Sequence, residues 1–277
     1  MSGILETAIS QQDLRICADA LENVRARNPR VHCITNSVVQ NFTANMLLAF
    51  GGIPSMTINP EEVGAFVTGA DALLLNLGTV DGDREVAIPI AMQVAKTKGL
   101  PVVLDPVFID RSPGRADFAR ALAVQQPTIV RANRGEWDVL VSDGTDTGRE
   151  TDKDGVPEAS LLKYIDSNGE GVGPVGVLTG PVDLIAGAGQ VTSFKGGHRW
   201  MSMITGVGCG QAAIMGALAA CCDSSFHAAL TGVLIFGLCG ERAAEQANGP
   251  GSFEPAFLDA LHAVDPTDLE ALAKRVS

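Results

Sequence analysis

The sequence predicts an α/β protein whose mostly parallel central sheet carries helices on both faces. Short apolar runs rich in β-branched residues recur along the chain, and such runs are typical of buried strands. Between most of them lie segments with helical spacing, at 42–50, 84–98 and 115–124. Strands that alternate with helices form βαβ units, and these units give a parallel sheet with both faces covered. The predicted strands are Val31–Ile34, Ile53–Met56, Ala72–Asn76, Pro101–Leu104, Thr128–Val130 and Val175–Leu178.

The pattern changes after residue 180. Val182–Ala186 and Gln190–Phe194 are short runs on either side of a Gly-Ala-Gly turn, which predicts a β-hairpin at the sheet edge. The polar stretch Ser142–Val156 predicts a surface loop, after which the apolar pattern resumes. We therefore expect one domain over residues 1–277, with residues 1–30 as an N-terminal helical extension. Ala-rich segments predict a helical layer at 208–222, 226–246, 253–261 and 266–276.

Composition excludes several classes of protein. The 277 residues include 20 Lys and Arg against 32 Asp and Glu, so the formal net charge is −12. Nucleic acid and anionic membrane surfaces favour a basic face, which this composition does not supply. No apolar stretch reaches the ~20 residues of a membrane span, and the first thirty residues resemble no signal peptide. Six cysteines without C-x-x-C pairs indicate reduced thiols, so we expect a cytoplasmic protein with small-molecule ligands.

Polar residues follow four predicted strands at their carboxyl ends, where open parallel sheets bind ligands. The carboxylates of Asp105 and Glu136 suit Mg²⁺, which keeps several waters and bridges to substrate phosphates. The guanidinium of Arg131 suits phosphate oxygens. The sequence therefore predicts a metal and phosphate site at this edge, although polar residues are also common in any loop. The full set is Asn76, Asp105, Arg131 with Asn133 and Glu136 behind it, and Thr179.

The segment Thr205–Gly210 is rich in glycine and directly precedes an apolar helical run. Gly206 and Gly208 would let backbone N–H groups at the helix N-terminus approach an anion closely. The segment lacks the Gly-Lys-Ser/Thr end of a Walker A loop and the third glycine of the dinucleotide motif. A helix N-terminus lowers a thiol pKa toward ~7, so we expect Cys209 to be partly thiolate. The alternative is that Cys209 is a small buried packing residue.

A series of short motifs between Val31 and Phe253 resembles the hydroxyethylthiazole kinase family. They are Val31–Asn36, Thr43–Asn45 leading to Gly51–Met56, Pro60–Val63, Asn76–Thr79, Val103–Val107, Arg131–Asn133, Leu178–Gly180, Thr205–Cys209 and Gly249–Phe253. The resemblance implies a ribokinase-like fold and transfer of the ATP γ-phosphate to the hydroxyl of 4-methyl-5-(2-hydroxyethyl)thiazole, in thiamine salvage. It also implies a homotrimer with active sites between subunits, and the Ala-rich helices within 208–246 offer apolar surface for that assembly.

The resemblance also assigns roles to individual residues. Two departures from the family keep alternatives open: Phe108–Ser112 replaces the family's Gly-x-Gly-Ala-Thr, and Met203 stands where the family tends to carry Lys. One alternative is a same-fold kinase for another small alcohol, such as a hydroxymethylpyrimidine, and the other is a non-catalytic oligomeric ligand-binding homologue. The implied roles are ATP contacts at Arg131, Thr179, Asn133 and Gly208, thiazole contacts at Met56, Gly206 and Asn36, Mg²⁺ ligands at Asp105 and Glu136, and the catalytic position at Cys209.

Overall fold

A computed structural model of the protein describes residues 5–142, 158–167 and 173–276. Apart from Ser142, the predicted loop Ser142–Val156 lies outside the described residues. Nine strands are present in the described ranges: β1 (Leu5–Glu6), β2 (Arg30–Ile34), β3 (Ile53–Ser55), β4 (Ala72–Asn76), β5 (Val102–Asp105), β6 (Ile129–Asn133), β7 (Val175–Thr179), β8 (Asp183–Gly187) and β9 (Gln190–Phe194). They form one sheet in the order β1-β9-β8-β7-β6-β5-β4-β2-β3.

The pairing of the strands is mostly parallel, as the sequence predicts. All neighbours from β3 to β7 run parallel. The predicted hairpin is confirmed as β8 and β9, which pair antiparallel with Asp183 opposite Phe194. Its predicted place at the sheet edge was wrong, because β1 pairs in parallel with β9 and lies outside it. A strand of only two residues carries no periodic signal by which the sequence could reveal it.

The helices form two layers on opposite faces of the sheet. Successive strand side chains point to opposite faces, so Leu74 joins one apolar core and its neighbour Leu75 the other. The helices are α1 (Gln11–Arg27), α2 (Gln40–Phe50), α3 (Val63–Thr68), α4 (Gly82–Lys98), α5 (Pro113–Ala123), α6 (Arg134–Val141), α7 (Glu158–Ser167), α8 (Val207–Ala219), α9 (Ser225–Gln246), α10 (Pro250–Ala263), α11 (Pro266–Ala271) and α12 (Ala273–Val276). The core with Leu74 includes residues of α1, α2 and α8–α11, and the other core includes residues of α3–α7.

Helix α1 lies within the predicted N-terminal extension and packs on the core. It begins after Ser10, whose hydroxyl accepts the Asp13 N–H at 3.1 Å. Its side chains Leu14, Leu21 and Val24 are buried, and the helix contacts α9 and α11. The predicted division of the chain into one domain with an extension stays a prediction.

Helix α8 crosses the middle of the sheet and brings its N-terminus to the strand ends. Ten of its thirteen residues are buried, and a Cβ placed on Gly216 would lie 3.3 Å from Val31 and 3.8 Å from Val103. The helix begins after Gly206, which has a φ of +99°, a conformation that glycine adopts without steric cost. No helix in the described part of the chain is long and apolar enough to cross a membrane.

Candidate active site

A chain of hydrogen bonds joins the ends of β2, β4 and β5 to the first turn of α8. Asn76 stands opposite Asp105 in register, and its Nδ2 donates to Asp105 Oδ2 at 2.6 Å. Asn36 Nδ2 donates to Asn76 Oδ1 at 3.2 Å and lies 3.4 Å from Cys209 Sγ. Asn76 and Asp105 are fully buried. We call five side chains the strand-end network: Asn36, Asn76, Asp105, Cys209 and Arg131, the last of which is described next.

Arg131 connects this network to the backbone of α8. Its Nη1 lies 3.5 Å from Asp105 Oδ1, and its Nε donates to Gln211 Oε1 at 3.1 Å. A Cβ placed on Gly208 would lie 2.6 Å from Arg131 Nη2, which is closer than real atoms approach. The guanidinium can therefore lie against the first turn of α8 only because position 208 is glycine.

Burial dominates the electrostatics of Asp105. It raises the pKa of this carboxyl to about 7, and the nearby Glu136 adds to the rise, whereas Arg131 and the amide of Asn76 act in the opposite direction. A buried carboxylate is costly unless charged or polar partners compensate it. Asp105 therefore depends on its neighbours in the strand-end network to carry a charge at neutral pH.

The pKa of the Cys209 thiol is raised, whereas the position of Cys209 in the first turn of α8 predicts a lowered one. Burial raises the pKa of its thiol to about 12, and the negative charge of Asp105 adds to the rise; Arg131, Asn76 and Asn36 lower it by less. The prediction of a partly ionised thiol was wrong, because a thiolate at this position would lose its hydration and lie beside the negative charge of Asp105. Cys209 is a neutral thiol at pH 7.

Glu136 is buried and uses both carboxylate oxygens on backbone donors. Its Oε2 accepts the Asn133 N–H at 2.9 Å, and Asn133 Oδ1 accepts the Glu136 N–H at 3.0 Å, so the two residues form the capping box of α6. Glu136 Oε1 accepts the Phe108 N–H at 3.0 Å. Phe108 itself has a φ of +60°. Glu136 thus holds the segments after β5 and β6 together beside Asp105.

The donor set of Asp105 and Glu136 fits a magnesium ion that is shared with a phosphate ligand. In the ranges that the structure covers, no group of three or more His, Cys, Asp or Glu side chains could hold a metal ion. Mg²⁺ rarely uses such a cage; it is usually held by one or two carboxylates together with waters and phosphate oxygens. Each carboxylate oxygen that accepts one N–H keeps a further lone pair for a bound water.

A cavity of about 920 Å³ opens beside Arg131 and the start of α8. This volume lies within the range of small-molecule sites. Three of the predicted ATP contacts, Arg131, Thr179 and Gly208, line it, whereas the side chain of Asn133 caps α6. The lining also includes residues that the sequence did not single out: Asp183, Lys195, His198, Arg199, Glu241 and Arg275.

The three predicted thiazole contacts come from separate parts of the fold. Asn36 lies beside the thiol of Cys209. Gly206 precedes α8, and a Cβ there would lie 2.8 Å from Val39 Cγ1. Met56 follows β3 at the sheet edge and packs half-buried against the core that contains α8. Asn36 thus belongs to the strand-end network, whereas Met56 lies outside it.

Comparison with known proteins identifies the family. The sequence profile of the hydroxyethylthiazole kinase family matches residues 21–267. The chain belongs to the hydroxyethylthiazole kinase family. A probable hydroxyethylthiazole kinase of Agrobacterium fabrum is 41% identical over 269 residues, which cover 97% of this chain and 96% of that protein. A hydroxyethylthiazole kinase of Granulibacter bethesdensis is 40% identical over 253 residues, 91% of this chain and 92% of that protein.

Solved structures agree with this family assignment. The hydroxyethylthiazole kinase protein of Pyrococcus horikoshii superposes with a TM-score of 0.82 at 31% identity, over 91% of this chain and 94% of that one. A ribokinase-like superfamily protein of Enterococcus faecalis gives a TM-score of 0.58 at 17% identity, over 91% and 94% of the two chains, and this likeness concerns the fold alone. The family and the ribokinase-like fold that the motifs imply are confirmed.

Two members of this candidate site were not assigned roles from the sequence. Asn76 is recognisable as a polar strand end, but its contact with Asp105 depends on the register of β4 against β5. Gln211 lies two residues beyond Cys209, and its contact with Arg131 spans 80 positions of sequence. The motifs of the family therefore indicate where the site lies, and the tertiary structure adds which side chains hold it in place.

Proposed function

We propose that the protein transfers the γ-phosphoryl group of ATP to the hydroxyl of 4-methyl-5-(2-hydroxyethyl)thiazole, a step of thiamine salvage. The observation that carries this proposal is the meeting of Asp105, Arg131 and Cys209 at the N-terminus of α8, beside a cavity large enough for a nucleotide. Phosphoryl transfer depends mainly on positioning and on neutralising the charge of the transferred group. The site contains groups for both tasks.

Arg131 and the backbone of α8 would bind the phosphates of ATP. The first N–H groups of a helix lack helical partners and carry partial positive charge, which favours an anion. Arg131 adds a planar fork that matches phosphate oxygens. Its position is fixed by Asp105 and Gln211, and Gly208 leaves the space that it occupies. Thr179 lines the same cavity.

Asp105 and Glu136 would hold Mg²⁺ together with the nucleotide. When bound, the ion neutralises charge on the phosphate oxygens. Glu136 keeps its place through the backbone of Asn133 and Phe108. Asp105 keeps its place through Asn76 and Arg131. The pairing of a fixed carboxylate with a fixed guanidinium would orient the transferred group toward the acceptor.

Cys209 would contact the acceptor hydroxyl as a neutral thiol. A thiol both donates and accepts weak hydrogen bonds, so it can orient the hydroxyl without carrying a charge. Asn36 Nδ2 lies 3.4 Å from the sulfur atom and would face the same hydroxyl. Met56 and Gly206 would supply further contacts with the thiazole ring, as the family resemblance implies.

We also propose a homotrimer with active sites between subunits. The Ala-rich helices α8 and α9 do not provide the surface that we expected for it, because most of their residues are buried within the chain. Apolar surface lies instead between the edge strand β3 and helix α3, where Ile53 and Phe66 are exposed and line a groove of about 420 Å³ with Pro54. Light scattering that gives three times the chain mass would support the trimer. The cytoplasmic location stays a prediction.

The release of ADP from Mg-ATP tests the proposed activity. The purified protein is assayed with the thiazole alcohol, with a hydroxymethylpyrimidine and without an acceptor. We expect acceptor-dependent ADP release with the thiazole alcohol and far less with the other two mixtures. A preference for the pyrimidine alcohol would indicate a same-fold kinase of different specificity. No acceptor-dependent release with either alcohol would contradict the proposal.

A further inference from the structure

A paired arginine and glutamate belong to the same cavity lining as Arg131 and Gly208. Arg275 of α12 donates from Nη1 to Glu241 Oε2 at 2.7 Å and from Nη2 to Glu241 Oε1 at 2.9 Å. Both residues belong to the lining of the 920 Å³ cavity. A two-pronged contact of this kind fixes the orientation of both side chains more strongly than a single bond.

Glu241 extends this contact to the segment that follows β9. Its Oε1 also accepts the backbone N–H of Gly197 at 3.3 Å. The guanidinium carbon of Arg275 lies 5.8 Å from the centre of the Phe194 ring, within the range of a cation–π contact. The ion pair therefore connects the C-terminal helix α12 to the segment 195–199, which follows β9. We call this segment the cavity wall.

Glycines bring the cavity wall against α9. Gly197 has a φ of +88°, and a Cβ placed on it would lie 2.8 Å from Met201 Sδ. A Cβ on Gly237 would lie 3.3 Å from the Cα of Gly196, and one on Gly240 would lie 3.2 Å from the Cα of Gly197. The backbone of the cavity wall therefore packs directly on the backbone of α9. This packing, together with the hydrogen bond to Glu241, leaves the cavity wall few alternative positions.

The cavity wall also carries positive charge in an acidic chain. Lys195 and Arg199 belong to this wall and line the cavity, whereas the whole chain has a formal net charge of −12. Arg131 lines the same cavity near α8. Cationic side chains around a concave site raise the local concentration of an anionic ligand. A shift of the wall would move this charge away from a bound nucleotide.

We propose that the Glu241–Arg275 ion pair positions the cavity wall for nucleotide binding. The inference rests on the proposed function, because it takes this cavity as the ATP site. Glu241 and Arg275 are positioning residues: they act through Gly197 and the charged wall. Loss of the pair should therefore weaken the binding of ATP, while the rate at saturating ATP changes little, because the hydrogen bonds of the pair run to Gly197 and not to the strand-end network.

Arg275→Gln and Glu241→Gln test the inference, with Arg242→Gln as the matched control. Arg242 neighbours Glu241 on α9 and forms a two-pronged ion pair with Asp268 of α11, but it does not line the cavity. Arg275→Lys is an intermediate variant, since lysine keeps the positive charge but lacks the planar guanidinium that makes the two-pronged contact. For each protein we would measure the dissociation constant of ATP by calorimetry, the KM for ATP and kcat with the thiazole alcohol, and the Tm.

The Glu241–Arg275 pair is partly exposed, so we expect both cavity variants to raise the dissociation constant and the KM for ATP about two- to fivefold, with kcat within twofold of the wild type. Arg275→Lys should lie between, and Arg242→Gln should match the wild type in ATP binding even if its Tm falls. If Arg275→Gln and the wild type had the same dissociation constant and KM for ATP, the inference would be overturned but the proposed function would stand. The same conclusion would follow if Arg242→Gln weakened ATP binding as much as Arg275→Gln does. A wild-type protein that neither binds nor consumes ATP would overturn the proposed function as well.

Discussion

Asn76 Nδ2 donates a 2.6 Å hydrogen bond to Asp105 Oδ2 at the buried ends of two neighbouring strands. The same side chain accepts the Gly78 N–H at 3.0 Å and an N–H of Asn36 at 3.2 Å on its Oδ1. One amide thus connects the carboxylate of Asp105 to the residue that faces Cys209. Because a carboxylate needs a donor and an N–H needs an acceptor, these partners fix which end of the Asn76 amide points which way.

Asn76→Ala should therefore reduce both stability and turnover. The substitution leaves a buried carboxylate short of one donor and leaves the Asn36 amide short of an acceptor. We expect the free energy of unfolding to fall by about 2 kcal/mol and kcat to fall at least tenfold. The control is Asn45→Ala, an exposed asparagine on α2 that bonds to Asn41. Urea denaturation and steady-state kinetics check the prediction, and an effect no larger than that of the control would contradict it.

Gly208→Ala should weaken ATP binding by displacing Arg131. The added Cβ would lie 2.6 Å from Arg131 Nη2, so the guanidinium must move away from the first turn of α8. We expect the KM for ATP to rise about tenfold, the cost of one charged hydrogen bond. Gly114→Ala on α5 is the control, because a Cβ there meets nothing within 4 Å. An unchanged KM for ATP in Gly208→Ala would remove Arg131 from the phosphate site.

Cys209 should react slowly with alkylating agents at neutral pH. Burial raises the pKa of the thiol to about 12, and only the thiolate attacks such a reagent. We expect the alkylation of Cys209, followed by peptide mass spectrometry, to rise about tenfold with each pH unit from 7 to 10. An unperturbed cysteine in a peptide, with a pKa of about 8.5, should level off within that range. If the alkylation rate of Cys209 reached a plateau below pH 8, the thiol would be ionised at neutral pH, as its helix position predicts, and the raised pKa would be contradicted.

The backbone conformation at position 108 should favour glycine over a residue that has a Cβ atom. Its φ of +60° lies in the left-handed region, which costs a non-glycine residue about 1–2 kcal/mol. Phe108→Gly and Phe108→Ala remove the same ring, which is 56% exposed, and differ in backbone freedom. We expect the glycine variant to be the more stable one by about 1 kcal/mol in urea denaturation. The opposite order, which helices and strands normally show, would contradict this account.

Much of the fold can be read from local pattern. The strand Ala72–Asn76 is predicted with its observed bounds, and the neighbouring strands differ from their predictions by one to three residues at an end. Parallel pairing then places the polar residues after these strands at one edge, so Asp105 and Arg131 could be expected to meet. The step from an apolar run to a buried parallel strand depends on a periodicity that the sequence contains.

The remainder of the site depends on contacts between distant segments. The pKa of Cys209 is set by burial and by Asp105, which lies more than one hundred residues away in the sequence. Glu136 is predicted as a metal ligand, but the sequence does not show that both its oxygens also hold backbone N–H groups. Glu241 and Arg275 show no local signal either, since charged residues on helices are common. These properties appear only when the chain is folded.

Transfer of radiolabelled γ-phosphate from ATP to the thiazole alcohol, by the wild type and by Asp105→Asn side by side, tests the central claim most directly. We expect labelled thiazole phosphate from the wild type. We expect a rate at least ~10²-fold lower from Asp105→Asn, with a Tm close to that of the wild type. No labelled product from the wild type, or equal rates from the two proteins, would contradict the claim that the strand-end network carries out this phosphoryl transfer.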